Sequence, residues 1–284
     1  MNLREEISQF KPAPHTEEAS VAVQIKQLSL SFSLQRSKEP LRVLDAINLE
    51  IRNSEFISIV GPSGCGKTSM LKIIGGIIKS DDANAELLGT VTVDGVTTVQ
   101  AKAARLFGFA FQNPVLLPWR TVRDNVELPL EIAGYSGPDK TSRVSDLLEL
   151  MDIRGFAQSY PHELSGGMQQ RVNIARALVH QPKILLMDEP FGALDEITRE
   201  KLNLALYELH RVKRTTIVFV THSLREAVFL SNRILILSKR PAKVKALLDS
   251  PLALKRDENT QSGKPYLDFL SQVRNVLFQE EQKK

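Results

Sequence analysis

The first hydrophobic pattern in the chain is an alternation that is typical of half-exposed β-strands. Apolar and polar residues alternate over residues 21–32 and again over residues 43–51. Residues 86–95 predict a further pair of strands, which is closed by an Asp94-Gly95 turn. Because alternation leaves one face apolar, we expect each of these strands to be buried on one side only.

Short strands that are almost wholly apolar alternate with helical patterns in other parts of the chain. Residues 56–60 form such a strand and lead directly into a glycine-rich loop, after which residues 68–78 have apolar side chains at helical spacing. Two further apolar strands, at 184–187 and 216–221, flank a helical pattern over 199–212. Strands of this kind are buried on both faces, so the order predicts an α/β fold with a parallel sheet between helices.

Two stretches differ from this pattern. Residues 118–164 contain helical patterns, and we expect prolines and glycines to interrupt them. These breaks are Pro129, Gly134, Gly137-Pro138 and Pro161. Residues 241–284 are polar until a helical stripe formed by Leu267, Leu270, Val273 and Leu277. We expect the stripe to pack on its own domain; a regulatory role is the alternative.

The composition is typical of a globular protein. Apolar residues make up 42% and charged residues 25% of the 284 residues, which is enough for a substantial core. The net charge of +4 arises from 37 basic and 33 acidic residues scattered along the chain, which does not indicate a nucleic-acid groove. The single cysteine, Cys65, excludes an intrachain disulfide and fits a reducing cytoplasm.

The chain contains no pattern that predicts a membrane-spanning segment. Residues 1–20 lack the apolar stretch of a secretory signal, and we expect them to form a flexible tail. The most apolar runs are far shorter than the roughly 20 residues that a spanning helix needs. Any membrane role is therefore expected to depend on a partner.

The strongest motif is the glycine-rich loop between the strand at 56–60 and the helix at 68–78. It matches the pattern G-x-x-x-x-G-K-[ST], in which glycines let backbone N–H groups turn inward around an anion and the helix N-terminus adds its positive dipole. We expect Lys67 to bridge the β- and γ-phosphates of ATP and the Thr68 hydroxyl to bind Mg²⁺. The expected binding residues are Gly61, Pro62, Ser63, Gly64, Cys65, Gly66, Lys67 and Thr68.

The apolar strand at 184–187 ends in two adjacent carboxylates, Asp188 and Glu189. Alone, such a pair could simply mark the point where a strand reaches the surface. Downstream of a phosphate-binding loop, Asp188 is placed to hold Mg²⁺, and Glu189, which points elsewhere, can orient or deprotonate the attacking water.

A serine–glycine motif stands shortly before that strand. Residues 164–171 have the sequence Leu-Ser-Gly-Gly-Met-Gln-Gln-Arg and precede a long helical pattern. Ser165, Gly166 and Gly167 would form an ordinary helix N-cap, but a hydroxyl, two amides and a helix N-terminus also favour added negative charge. Together with the phosphate loop, this motif resembles the signature of the ABC ATPase family, and the resemblance covers about residues 21–238.

The resemblance implies a dimer. In that family the signature of one protomer closes over the γ-phosphate that the other protomer's phosphate loop holds. We therefore expect two ATP–Mg²⁺ complexes between two copies of this chain, or between this chain and a related ATPase subunit.

The resemblance also assigns roles to four single residues. Gln112 resembles the loop glutamine that senses Mg²⁺ and the attacking water, and His222 resembles the switch histidine that contacts the γ-phosphate. Asp195 resembles an aspartate that reaches across the dimer, and it is also a candidate N-cap for the next helix. Phe32 stands where the family has an aromatic ring that stacks on adenine, but it could equally belong to the core.

Two residues need separate comment. Met168 stands where the family usually has glutamine, so the contacts of that side chain are in doubt, whereas those of Ser165 and Gly167 are not. Cys65 lies near a helix N-terminus, a setting that can lower the pKa of a thiol, although it can also be a tolerated small residue.

Residues 116–122 contain the only tryptophan, Trp119, beside Arg120. In the family this segment faces the membrane subunits, and an exposed tryptophan would suit such an interface. A buried tryptophan in the helical subdomain is the alternative. The segment resembles the branch that serves nitrate, sulfonate, taurine or bicarbonate importers.

These observations predict an ABC ATPase fold, with a P-loop NTPase-type parallel sheet core, an antiparallel β subdomain and a helical subdomain at about 115–170. The expected domains are a tail at 1–20, the ATPase domain at 21–238 and an extension with a terminal helix at 239–284. We expect ATP hydrolysis at the cytoplasmic face of the membrane to drive import of a small solute through a separate integral-membrane permease, with a solute-binding protein as an indirect partner.

Two other classes of protein are alternatives to this hypothesis. A non-transport ABC ATPase acting on DNA or ribosomes usually has long coiled-coil insertions or two fused cassettes, whereas this chain has one cassette and no heptad series. A kinase or GTPase with a phosphate loop is disfavoured by the signature and by His222.

Overall fold

The computed structural model describes residues 20–33, 39–80, 82, 84–253 and 255–279. The expected tail at residues 1–20 therefore lies outside the described residues except for Ser20. The chain divides into two compact units. The first, here called the helical unit, contains Phe107–Thr215, and the second, the sheet unit, contains the described parts of Thr16–Leu106 and Thr216–Lys284.

The strands and helices of the described residues are numbered in chain order. The strands are β1 (Val21–Phe32), β2 (Leu41–Arg52), β3 (Phe56–Val60), β4 (Ala85–Val93), β5 (Val96–Thr97), β6 (Phe107–Ala110), β7 (Ile184–Asp188), β8 (Thr216–Val220), β9 (Arg233–Leu237) and β10 (Val244–Asp249). The helices are α1 (Lys67–Ile74), α2 (Thr98–Ala103), α3 (Val122–Ile132), α4 (Lys140–Leu150), α5 (Gly166–Leu178), α6 (Glu196–Lys213), α7 (Leu224–Leu230) and α8 (Lys264–Phe278). Short 3₁₀ turns lie at Arg154–Phe156, Pro161–Glu163 and Glu258–Ser262.

The alternating segments form an antiparallel sheet in the sheet unit, as predicted. Its strand order is β2-β1-β4-β5, and every neighbouring pair is antiparallel. Between β4 and β5, Asp94 and Gly95 have φ values of 51° and 78°. Positive φ at both central residues is the requirement of the tight turn that best matches strand twist, which explains the Asp-Gly pair at this point.

The fully buried strands form parallel pairs, which confirms the α/β class. In the sheet unit, β3 lies between β8 and β9 and is parallel to both, and β10 is antiparallel to β9. In the helical unit, β6 and β7 are parallel. The glycine-rich loop leaves the carboxyl end of β3, the end at which ligands bind in sheets of this type.

Two helix boundaries differ from the predicted ones for local reasons. α1 ends at Ile74, before the predicted residue 78, because Gly76 adopts φ 63° and its amide turns back to the Ile73 carbonyl. α6 begins at Glu196, three residues before the predicted start at 199, because the Asp195 carboxylate accepts a hydrogen bond from the Thr198 amide at 2.9 Å.

The predicted break at Pro129 is wrong. Pro129 lies inside α3, and the helix continues to Ile132, two residues before Gly134, which has φ 65°. A proline removes a single backbone donor, so a helix can continue past it where packing is favourable. The buried side chains Val126 and Leu130 on either side of Pro129 supply that packing.

The terminal helix α8 packs on its own unit with a face that includes Val273 of the predicted stripe but not Leu267. Its buried residues are Tyr266, Phe269 and Val273, whereas Leu267 is 51% exposed. The larger aromatic rings occupy the contact with the sheet unit, and the Tyr266 hydroxyl donates to the Arg225 carbonyl at 3.2 Å. Among the described residues, no helix is long and apolar enough to cross a membrane.

A buried ion pair joins the two sheets of the sheet unit. The Arg233 guanidinium of β9 donates to the Glu55 carboxylate at 2.5 and 2.8 Å and to the Glu50 carbonyl of β2 at 2.6 Å. Glu55 also accepts a hydrogen bond from the Arg52 amide at 2.7 Å. The hydrogen bonds that Arg233 donates to Glu55 raise the pKa of Arg233 above its ordinary value.

Glu55→Gln is expected to lower the free energy of unfolding by about 3 kcal/mol, because it leaves the buried Arg233 without its counter-charge. Denaturant unfolding of the full chain measures this change. The double replacement Glu55→Met with Arg233→Met is the control and should cost less than Glu55→Gln alone. Equal stability of Glu55→Gln and wild type would contradict the assigned role of the pair.

Candidate active site

The phosphate loop is built so that only glycine fits at two of its positions. Gly64 and Gly66 have φ values of 70° and 119°, which side-chain-bearing residues rarely adopt. A Cβ at Gly66 would also lie 2.7 Å from a methyl carbon of Val43 and 2.9 Å from one of Leu44. The loop therefore turns tightly between β3 and α1 and packs directly on β2.

Lys67 is the clearest sign that this loop binds an anion. Its side chain is 5% exposed, and its ammonium donates to the Gly61 carbonyl at 2.9 Å and to the Pro62 carbonyl at 3.1 Å. An ammonium has three donors and a full positive charge, which is costly to bury without a counter-ion. The cradle therefore fits a phosphate group, which would supply both the charge and the remaining acceptor.

Thr68 and Cys65 occupy different environments beside Lys67. The Thr68 residue is half-buried. Cys65 is buried, and burial raises the pKa of its thiol, an effect that outweighs the lowering by Lys67. Of the two alternatives for Cys65, this environment supports a tolerated small residue over a thiol with a lowered pKa.

His222 and Phe32, also in the sheet unit, lie at the ends of strands. His222 follows β8 and is exposed, and the turn around it is fixed by its neighbours. The Thr221 hydroxyl donates to Glu226 at 2.5 Å and accepts from the Ser223 amide at 3.0 Å. Phe32 is the last residue of β1 and is half-buried.

The helical unit brings Gln112 and Glu189 together. Asp188 is the buried last residue of β7, and Glu189 directly after it has φ 48°. This left-handed backbone is unfavourable for glutamate and turns its side chain away from the strand. The Gln112 amide donates to the Glu189 carboxylate at 3.3 Å, a pairing that the sequence did not predict.

The signature lies at the beginning of α5. Ser165 caps the helix, with its hydroxyl oxygen accepting from the Met168 amide at 3.3 Å, and both Ser165 and Gly166 are exposed. A Cβ at Gly167 would lie 3.2 Å from a Leu194 methyl carbon, so the signature packs closely against the loop that precedes Asp195.

Asp195 caps α6, as the sequence predicted, and its carboxylate is exposed. Hydrogen bonds from Thr198 lower the pKa of this carboxyl below its ordinary value. The carboxylate is therefore charged at neutral pH and available to a partner at the surface.

Trp119 is 71% exposed, which supports the interface alternative over burial in the helical unit. The segment around it is nevertheless fixed. The buried Asn125 side chain donates to the Leu117, Arg120 and Thr121 carbonyls at 3.1, 3.0 and 2.9 Å. The sequence reading missed Asn125, because an isolated asparagine in a helix gives no periodic signal.

The predicted residues are thus distributed over both units. The sheet unit contains Phe32, His222 and the phosphate loop from Gly61 to Thr68, and the helical unit contains Gln112, Asp188, Glu189, Asp195 and the signature. A strand–loop–helix phosphate cradle in a chain with a serine–glycine helix N-terminus defines a P-loop ATPase. Residues 44–192 match the family model described as ABC transporter, and the chain belongs to this family.

Named relatives cover most of the chain. The aliphatic sulfonates import ATP-binding protein SsuB of Bacillus cereus is 40% identical over 242 residues, which span 85% of this chain and 91% of that protein. The taurine import ATP-binding protein TauB of Rhizobium johnstonii is 42% identical over 218 residues, which span 77% of this chain and 80% of that protein.

Two solved structures of MJ0796 are similar to this chain. The first, described as the dimeric structure of a bacterial ABC transporter cassette, has a TM-score of 0.71 and 34% identity and covers 83% of this chain and 100% of that chain. The second, a dimeric post-hydrolysis state bound to ADP and Pi, has a TM-score of 0.70 and 35% identity with the same coverage. The protein is an ATP-binding, ATP-hydrolysing subunit of an ABC transporter.

Cys65 is expected to react with iodoacetamide at pH 8 at least about tenfold more slowly in the folded protein than in the unfolded chain, because burial raises its thiol pKa. ATP should slow the reaction further by covering the loop. Mass spectrometry measures the labelling without ambiguity, since the chain has a single cysteine. Equal rates in the folded and unfolded states would contradict the buried environment.

Proposed function

We propose that two ATPase subunits, either two copies of this chain or this chain and a related subunit, close on two ATP–Mg²⁺ complexes. The proposal rests on the exposed N-terminus of α5, where Ser165 and Gly166 offer a hydroxyl and backbone amides to an anion outside their own unit. The dimeric state of the MJ0796 cassette supports the same arrangement.

In this proposal the phosphate loop binds the nucleotide of its own subunit. The Lys67 ammonium neutralises the β- and γ-phosphates, and the inward amides of the loop hold their oxygens. Thr68 and Asp188 would hold Mg²⁺ together with Gln112, and the ion would neutralise charge on the phosphates when bound. Phe32 stacks on the adenine ring.

Hydrolysis requires a water molecule that is held in line with the γ-phosphate. Glu189 orients this water and accepts its proton, and Gln112, which donates to the same carboxylate, keeps Glu189 in position. His222 contacts the γ-phosphate from its fixed turn, and Ser165, Gly166, Gly167 and Asp195 act on the nucleotide or the loop of the partner subunit.

Opening and closing of the dimer follow from charge. The γ-phosphate links the two halves electrostatically, and its loss after hydrolysis removes that link, so the subunits separate. The exposed Trp119 and Val115 form the surface that contacts the membrane permease. Opening and closing of the dimer are transmitted to the permease through this contact.

The transported solute belongs, in this proposal, to the small oxyanions, with sulfonates such as taurine ahead of nitrate and bicarbonate. The support comes from the relatives, which are named as import subunits for aliphatic sulfonates and taurine. A periplasmic or extracellular solute-binding protein delivers the solute, and this chain acts as a peripheral subunit at the cytoplasmic face of the membrane. No observation favours action on DNA or ribosomes.

Glu189→Gln is expected to retain ATP binding, to lower the hydrolysis rate at least about a hundredfold and to trap the dimer, because the amide cannot accept the proton of water. Phosphate release, nucleotide titration and size-exclusion chromatography measure the three properties. In the Glu189→Gln background, Ser165→Arg should keep binding but prevent the dimer, while Lys67→Ala should lose binding. Hydrolysis by Glu189→Gln at the wild-type rate would remove Glu189 from its role.

The solute is identified by reconstituting this chain with its permease and binding protein in vesicles. Taurine or an alkanesulfonate is expected to stimulate ATP hydrolysis and to accumulate in the direction of import, whereas nitrate and bicarbonate should have weaker effects. Vesicles containing Glu189→Gln serve as the control for uptake without hydrolysis. If only nitrate or bicarbonate stimulated hydrolysis, the sulfonate assignment would be contradicted. The assignment of the chain as an ATPase subunit would not change.

A further inference from the structure

One face of α5 is hydrogen-bonded to the loop that contains Gln112. Its residues Gln170, Asn173 and Arg176 follow one another at intervals of three, so that they lie on the same side of the helix. We call these three residues the carbonyl clamp. Gln170 is buried, and Asn173 is 0% exposed.

The clamp holds two carbonyl groups of the loop. The Gln170 amide donates to the Phe111 carbonyl at 3.0 Å, and the Asn173 amide donates to the same oxygen at 2.8 Å. Arg176 donates to the Val115 carbonyl at 2.6 Å and to the Asn173 side-chain oxygen at 3.2 Å. The bonds therefore form one continuous network from Phe111 to Val115.

Holding the Phe111 carbonyl has a direct effect on Gln112. The carbonyl of one residue and the N–H of the next lie in one rigid peptide plane, so fixing the Phe111 oxygen also fixes the plane from which Gln112 departs. The bond from Gln112 to Glu189 is 3.3 Å long, beyond the usual N–H···O distance. A small displacement of the loop would therefore break it.

We propose that Asn173 and Gln170 are positioning residues for ATP hydrolysis, which act by holding the Phe111 carbonyl so that Gln112 meets Glu189. The proposal rests on the roles given to Gln112 and Glu189 under the proposed function. The signature lies at the beginning of α5, where the proposed dimer places the partner's nucleotide. Through the clamp, a movement of α5 would therefore also move the loop that contains Gln112.

The choice of amides suits this task. Asn173 donates to Phe111 through its amide nitrogen and accepts from Arg176 through its amide oxygen at the same time, which an apolar side chain of similar size cannot do. Burial lowers the pKa of Arg176 but leaves the guanidinium charged, since its ordinary pKa lies far above neutral pH. The network is thus maintained without a counter-charged group at the loop.

A double-mutant cycle on the full-length protein tests the proposal. Asn173→Ala is expected to lower kcat for ATP about three- to tenfold, the effect of losing one positioning hydrogen bond, and to leave KM within about twofold. In the Gln112→Ala background, the same replacement should have little further effect, because Asn173 acts through Gln112. Thermal unfolding verifies that the variants are folded.

A second variant and a control variant complete the test. Gln170→Met removes the other donor to Phe111 at nearly constant volume and should reproduce the lower kcat if Asn173→Ala does not fold. Asn203→Ala removes a buried amide from α6 that makes no bond to the loop, and its kcat should equal that of wild type.

The outcomes separate the proposal from the function on which it rests. If Gln112→Ala lowers kcat but Asn173→Ala and Gln170→Met do not, or if their effects multiply with that of Gln112→Ala, the clamp is not a positioning device. If Gln112→Ala itself leaves kcat unchanged, both the role of Gln112 and the inference are overturned.

Discussion

The buried positive charge of Lys67 is the constraint on which the proposed nucleotide site depends. Lys67 is held by two backbone carbonyls, which fix its position but cannot neutralise its charge. Burying a cation is costly unless an anion compensates its charge. In the proposed function, binding of the nucleotide phosphates at Lys67 would therefore also add to the folding free energy of the sheet unit.

The backbone shows the cost of building such a site. Gly66 adopts a conformation that is open only to glycine, and Glu189 adopts one that glutamate avoids. The Gly66 backbone lets the phosphate loop turn tightly between β3 and α1. The Glu189 backbone turns its side chain away from β7, where its carboxylate accepts from the Gln112 amide.

Sequence patterns predicted those parts of the fold that depend on local chemistry. The alternation in β1 and β2 and the Asp94-Gly95 turn follow from period and turn geometry alone. The helix over Pro129 and the exposed Leu267 were predicted wrongly, because in both cases packing partners distant in sequence decide the outcome. The phosphate loop was evident from glycine spacing, whereas the meeting of Gln112 and Glu189 needs the parallel pairing of β6 and β7. The individual roles of the site residues stay predictions.

The C-terminal extension supports the short helix that follows His222. α7, the helix that follows His222, has seven residues, too few to be stable alone. Arg256 from the extension is buried and bonds to the Phe229 and Ser231 carbonyls at the end of α7, and Tyr266 bonds to the Arg225 carbonyl within it. The extension thus stabilises this short helix. Under the proposed role of His222 at the γ-phosphate, substitutions in this distal region would alter the position of that histidine without changing any residue that contacts the nucleotide.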